Sequence, residues 1–194
     1  MNMNNLSIRE AGVDDALALA ELINFAGEGL PVYLWEKMAE PGENVWDVGC
    51  SRAKRPEGSF SYRNAVCAQI EGQTVACLIG YPLASTPEEF DEKTTPPLFV
   101  PLLELEAEAS DTWYVNVLAT YPVYRSQGIG TKLLDHAQHK ALDAGKKRLS
   151  LIVADNNAGA IALYQKSGFK QCAKRTMVKE DWKNPGENWI LMIK

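Results

Sequence analysis

The sequence lacks the features that mark membrane-spanning and secreted proteins. No apolar run approaches the ~20 residues that a transmembrane helix needs. The polar start, from Met1 to Asn5, has neither the basic region nor the apolar core of a secretory signal. We therefore expect a cytoplasmic protein with no membrane partner.

Cysteine and histidine are scarce. The 194 residues include four cysteines and two histidines, with no C-x-x-C pair and no cysteine clustered with His136 or His139. We therefore predict no metal site. Cys67 and Cys77 fall within apolar strand candidates, so we expect buried free thiols rather than a disulfide in a reducing compartment.

Signatures of nucleotide and nucleic-acid binding are also missing. The sequence has no G-x-G-x-x-G and no P-loop motif. The net charge is −5, with eight acids and one lysine in residues 84–112, but twelve basic and five acidic residues in 120–183. This acidic middle argues against a nucleic-acid partner.

The most informative stretch that is present is a strand, a loop and a helix in succession. Residues 113–119 form an apolar strand candidate that Pro122 terminates. Apolar residues then recur at helical spacing, with Gly145 placed for a left-handed cap. They are Ile129, Leu133, Leu134, Ala137, Ala141 and Leu142.

The loop before this helix has the composition of an anion site. The first N–H groups of a helix have no intrahelical partner, and they point to its positive end. Gly128 and Gly130 would let a phosphate approach the main chain, and Arg125 adds positive charge. On spacing alone, a plain tight turn fits equally well.

Two motifs resemble those of the GNAT superfamily of N-acetyltransferases. Residues 118–130 are similar to its acetyl-CoA signature, R/Q-x-x-G-x-G/A, and residues 157–169 to its helix motif, N-x-x-A-I-x-L-Y-x-x-x-G-F. The match covers roughly residues 112–170, and the basic C-terminal half would suit the phosphates of coenzyme A.

The resemblance implies acetyl-CoA as the acetyl donor and assigns residues to its binding. Thr120 stands where many relatives have valine, which matters little for a main-chain contact. Asn157 would hold pantetheine, cap its helix, or do both. The assigned residues are Leu118, Ala119, Thr120, Arg125, Ser126, Gln127, Gly128, Ile129, Gly130, Thr131, Asn157 and Tyr164.

The resemblance also places Tyr164 as the general acid that protonates the departing thiolate. The general base is not settled by the sequence, because the strand at 113–119 has no carboxylate. Glu104 and Glu106 are the candidates, with Glu108 close to them in the sequence and Glu28 in the loop that we expect to flank the acceptor cleft. A solvated acidic face, a water chain or a backbone carbonyl are the alternatives.

The predicted fold class is α/β, with a mixed, mostly antiparallel GNAT-like sheet of about seven strands flanked by helices. We expect one domain over residues 1–194, with an acidic, proline-rich insertion at about 82–111 that contains a short helix at 98–109. The predicted strands are 6–9, 62–70, 74–81, 113–119, 148–153, 169–178 and 188–193.

These expectations predict an N-acetyltransferase in which the amine of a small molecule or peptide attacks acetyl-CoA directly. An enzyme transferring a longer acyl group and a non-catalytic acyl-CoA-binding module are the alternatives. A homodimer stays open.

Overall fold

The computed structural model describes residues 5–194, within which the chain forms seven β-strands and six α-helices. The strands are β1 (Leu6–Glu10), β2 (Ala65–Ile70), β3 (Gln73–Pro82), β4 (Trp113–Thr120), β5 (Leu149–Ala154), β6 (Lys170–Thr176) and β7 (Asn188–Ile193). The helices are α1 (Ala16–Ala26), α2 (Leu30–Met38), α3 (Val45–Lys54), α4 (Val100–Glu108), α5 (Ile129–Asp143) and α6 (Ala158–Lys166). None of the helices in this described range is long and apolar enough to cross a membrane.

The strands form one sheet in the order β1-β2-β3-β4-β5-β7-β6. The pairs β1–β2, β2–β3, β5–β7 and β6–β7 are antiparallel, whereas β4 and β5 are parallel. A parallel pair needs a crossover, and here α5 lies between the two strands in the chain. The predicted mixed, mostly antiparallel sheet with flanking helices is therefore confirmed.

The chain divides into two compact units. Unit 1 contains the described residues up to Gly80 together with Asn116–Leu133, and unit 2 contains Tyr81–Val115 and Leu134–Lys194. β4 and α5 each supply residues to both units. The single domain predicted over residues 1–194 stays a prediction.

Unit 1 has a core of aliphatic and aromatic side chains. Leu19 and Leu22 of α1 are fully buried, and Trp35 of α2 packs edge-on against Trp46 of α3 at 6.0 Å between ring centroids. A Cβ on Gly49 would lie 2.6 Å from the Trp35 ring, so this position requires glycine. Cys67 and Cys77 are free and buried, as predicted.

Unit 2 is built on the apolar strands β5 and β7. Leu149, Leu151 and Leu191 are at most 1% exposed, as expected for strands that are covered on both faces. Thr112 and Ser150 place their buried hydroxyl groups 2.5 Å apart. This contact satisfies two polar groups that would otherwise be costly to bury.

Some predicted details are confirmed and others are wrong. Gly145 has a φ of 72°, and the N–H groups of Gly145 and Lys146 donate to Leu142 and Ala141 as in a Schellman cap. Leu142 itself is 58% exposed, so it does not belong to the apolar face of α5. Residues Tyr62–Asn64 form a 3-10 turn rather than the start of β2.

Candidate active site

The loop before α5, residues 125–131, has an unusual backbone. Ser126 and Gly128 have φ angles of 59° and 79°, and the N–H of Lys132 makes a helical hydrogen bond to the Gly128 carbonyl at 3.2 Å. The N–H groups of Ile129, Gly130 and Thr131 belong to the first turn, which has no carbonyl partner inside a helix. Such a series of main-chain donors forms a concave anion site.

The space beside Gly128 is open. An added Cβ would meet no atom within 4 Å, and Gly128 is exposed. The main chain of the loop is therefore accessible at this glycine. The residues present therefore fit a phosphate, which is the group that the loop would have to accommodate.

Arg125 is held at the start of this loop. Its Nε donates to the carbonyl oxygen of Thr120 at 3.0 Å, and its guanidinium lies 5.9 Å from the centre of the Phe25 ring. These contacts fix the charge while the side chain stays exposed. The arrangement adds a positioned cation to the main-chain donors.

Asn157 lies at the N-terminus of α6 in unit 2. Its Oδ1 accepts a hydrogen bond from the N–H of Ala160 at 3.1 Å, so the side chain acts as a helix cap. The capping role that we expected is present. A role in holding pantetheine stays a prediction.

Tyr164 is a buried residue of α6. It is 8% exposed and its ring lies 5.9 Å from that of Phe169. Burial raises the pKa of its hydroxyl, which therefore stays protonated at neutral pH. A protonated hydroxyl is what a general acid requires.

The three carboxylates of α4 fall into two environments. Residues four apart share one face of a helix, whereas a residue two positions away points to another face. Accordingly, Glu104 and Glu108 both accept hydrogen bonds from Arg175 of β6. Its Nε donates to Glu104 and a terminal nitrogen donates to Glu108, each at 2.5 Å. We call this trio the arginine clamp.

Glu106 faces a different environment. Burial raises its pKa to about 7, Glu88 acts in the same direction, and a hydrogen bond from the Tyr114 hydroxyl lowers it. A carboxylate that titrates near neutral pH can accept and release a proton under working conditions. Glu106 therefore has the properties of a general base, while Glu104 is engaged with Arg175.

Sequence reasoning missed Tyr114 and Arg175. Tyr114 is 4% exposed on β4 and packs edge-on against Tyr81 at 5.8 Å between ring centroids. It looked like an ordinary apolar residue of the strand. Arg175 is more than sixty residues from α4, and no local pattern connects them.

No metal-like cluster accompanies these groups. Within residues 5–194, no three His, Cys, Asp or Glu side chains come together in an arrangement that could hold a metal ion. His136 is partly buried and His139 is exposed.

Comparison with known proteins assigns the family. Residues 32–169, more than half of the chain, match the model of the Acetyltransferase (GNAT) family. The chain belongs to the GNAT acetyltransferase family. Members of this family are acetyltransferases that use acetyl-CoA as their co-substrate.

Curated relatives and many solved structures are similar to this GNAT protein. The uncharacterized protein YdhI of Bacillus subtilis (strain 168) is 32% identical over 84 residues, which are 40% of this chain and 52% of YdhI. The chain thus spans about half the length of that relative. An N-acetyltransferase from Staphylococcus aureus Mu50 is 22% identical with a TM-score of 0.67, covering 97% of this chain and all of that one.

A second similar structure contains acetyl-CoA. A GNAT family acetyltransferase from Elizabethkingia anophelis with acetyl-CoA bound is 18% identical, with a TM-score of 0.60 and coverage of 98% of this chain and 97% of that chain. At these identities the two structures show the shared fold alone.

Proposed function

We propose that the protein is an N-acetyltransferase that moves the acetyl group of acetyl-CoA to a primary amine of a small molecule or peptide. The acceptor attacks directly, without an acetylated enzyme. The observation that carries this proposal is Glu106, a carboxylate with a pKa near 7 that is hydrogen-bonded to a buried tyrosine. A protein that only binds acyl-CoA has no use for such a base.

The donor is held by the loop at 125–131. In this proposal the N–H groups of Gln127 to Thr131 bind the pyrophosphate, with Arg125 and Ser126 at its edge. The main chain of Leu118, Ala119 and Thr120, together with the Asn157 side chain, binds the pantetheine arm and the thioester. Four free cysteines among the described residues accord with the cytoplasmic location that we propose.

Glu106 removes the proton that would block attack. A primary amine with a pKa of ~10.4 is almost fully protonated at neutral pH, so the ammonium must first lose a proton. The Glu106 carboxylate accepts it and returns it to water. Because Glu104 already holds Arg175, we assign the base to Glu106 and a structural role to Glu104.

Tyr164 completes the proton balance. As the amine nitrogen bonds to the acetyl carbon and the carbon–sulfur bond breaks, the Tyr164 hydroxyl donates its proton to the sulfur. The tyrosine oxygen regains a proton from the nitrogen that becomes the amide. This coupling is needed because a buried tyrosine is a weaker acid than a thiol.

The test is release of free coenzyme A thiol with a panel of amines, amino acids, polyamines, aminoglycosides and peptide N-termini. We expect Glu106→Gln and Tyr164→Phe each to lower kcat by about 10²-fold, with acetyl-CoA affinity in calorimetry nearly unchanged. The wild-type rate should fall as the pH drops through about 7, where Glu106 becomes protonated.

Each alternative has its own outcome in this test. Tight acetyl-CoA binding with no amine accepted would indicate a binding module. Faster thiol release from longer acyl-CoA donors would show that the enzyme transfers a longer acyl group. A normal rate for Glu106→Gln would show that Glu106 is not the base.

A further inference from the structure

Tyr114 is a buried side chain whose hydroxyl contacts a carboxylate. It belongs to the part of β4 that lies in unit 2, and it is 4% exposed. Its hydroxyl donates a hydrogen bond to Glu106. Burial raises the pKa of Tyr114 well above its ordinary value, so it remains a donor throughout the neutral range.

Other contacts hold both partners of this hydrogen bond in place. The main chain of Tyr114 is paired with Ser150 of β5 in the parallel ladder, and its ring contacts Tyr81. The helix that carries Glu106 is tied to β6 by the arginine clamp and anchored by the buried Leu105. The pair therefore has one defined geometry rather than several.

The surroundings of Glu106 otherwise oppose its charge. Burial and the negative Glu88 favour the protonated acid, whereas the Tyr114 hydroxyl favours the carboxylate. The remaining acids of α4, Glu104 and Glu108, are engaged by Arg175. An electrostatic interaction with Tyr164 also raises the pKa of Tyr114.

We propose that Tyr114 is a positioning residue for acetyl transfer, because its hydroxyl orients the Glu106 carboxylate and favours the charged form that accepts the amine proton. This inference rests on the proposed function and extends it to a residue outside both sequence motifs. Tyr114 acts through Glu106 and takes no proton from the substrate itself.

Tyr114→Phe tests this role, because it removes one oxygen and keeps the ring that packs against Tyr81. A hydrogen bond to a charged group contributes about 1.5 kcal/mol or more, which corresponds to about one pH unit. We expect the acidic limb of the pH profile of kcat/KM to move upward by that amount. Activity at pH 7 should fall several-fold and recover at high pH, with an unchanged KM for acetyl-CoA.

A merely structural tyrosine would behave differently. Loss of packing would lower Tm and the rate at every pH without moving the limb, and that result would overturn the proposal. Tyr62→Phe is the matched control, since its hydroxyl accepts from Arg63 in unit 1. It should leave the pH profile unchanged.

A second measurement separates this inference from the proposed function. The carboxyl pKa of Glu106 is read directly by ¹³C NMR titration of wild type and Tyr114→Phe, with Glu106→Gln for assignment. A higher pKa in the variant supports the inference even if no amine is acetylated, which would defeat only the proposed function. An equal pKa in both proteins defeats the inference even if acetylation proceeds.

Glu106→Asp covers the case in which Tyr114→Phe does not fold. The shorter side chain draws the carboxylate back from the Tyr114 hydroxyl while keeping an acid at the site. We expect the acidic limb to move upward here as well. A folded Glu106→Asp enzyme with an unmoved limb would overturn the proposal.

Discussion

Gly128 and Gly72 are two glycines of unit 1 that have nearly the same backbone conformation but lie in different loops. Their φ angles are 79° and 81°, and neither would place a Cβ within 4 Å of another atom. Gly72 lies in the tight turn between β2 and β3. Gly128 lies in the loop that we assign to pyrophosphate, so the pair separates backbone strain from ligand contact.

We expect Gly128→Ala and Gly72→Ala to lose similar stability, about 1–2 kcal/mol each, because a side chain disfavours this left-handed conformation. Only Gly128→Ala should lose acetyl-CoA affinity, by about tenfold or more, since its new methyl group enters the proposed phosphate space. Calorimetric titration measures the affinity, and thermal unfolding measures the stability. Equal affinities for both variants would refute the phosphate-loop assignment.

The predictability of the site residues depends on how local their signals are. Gly128 and Asn157 stand in short sequence motifs, so a pattern of about a dozen residues was enough to make them candidates. Tyr114 is recognisable only through a carboxylate on another element. Glu106 was proposed from sequence with Glu104, and only their helical geometry separates the two.

Helix α4 could likewise be predicted from the sequence only in part. Its presence was predicted at 98–109 and it spans Val100–Glu108, with Pro101 in the first turn as helices allow. The i, i+4 spacing predicts that Glu104 and Glu108 share a face. It does not reveal what they face, because Arg175 comes from a strand far along the chain.

We predict that Arg175→Gln loosens α4 and thereby displaces Glu106. Its ion pairs are about one-third exposed, so the loss of stability should be modest, about 1 kcal/mol or 2–4 °C in Tm. We expect a several-fold lower kcat with an unchanged KM for acetyl-CoA, measured by thiol release under saturating acceptor.

Lys146→Gln is the matched control for the clamp. It removes a 2.8 Å ion pair with Asp111, which lies between α4 and β4, but touches no carboxylate of the helix. Its kcat should stay at the wild-type value. If Arg175→Gln also keeps full kcat despite a lower Tm, the clamp stabilises the fold without positioning the base.

Strand boundaries were least predictable where local hydrogen bonds compete with the sheet. Residues 62–64 looked like strand, but the Ser61 hydroxyl accepts from the N–H of Arg63 and closes a 3-10 turn. Ser, Thr, Asn and Asp side chains offer the backbone such local partners. In β5 and β7 the side chains of Ser150 and Asn188 bond instead to the side chains of Thr112 and Asp155, and both strands were placed to within one residue.

At the scale of the whole molecule, residues 84–112 present less unpaired negative charge than the number of their acidic residues suggests. Glu104 and Glu108 share Arg175, and Glu106 titrates near neutral pH. Four exposed acids lie before α4, at Glu88, Glu89, Asp91 and Glu92, whereas the exposed Asp111 after the helix pairs with Lys146. Of these, Glu88 acts on Glu106, which indicates that this run lies on the side of the base.

The last prediction is that this exposed run attracts a cationic acceptor. Glu89→Gln combined with Glu92→Gln should raise the KM of the best cationic amine about two- to fivefold at low salt, as expected for two exposed charges. The difference should largely disappear at ~0.5 M salt, where the Debye length falls to a few ångströms. Asp135→Asn with Asp143→Asn, which removes two exposed charges from α5, is the control and should leave this KM unchanged. A neutral or anionic best acceptor, or equal KM values in both double variants, would show that the acidic run does not recruit the amine.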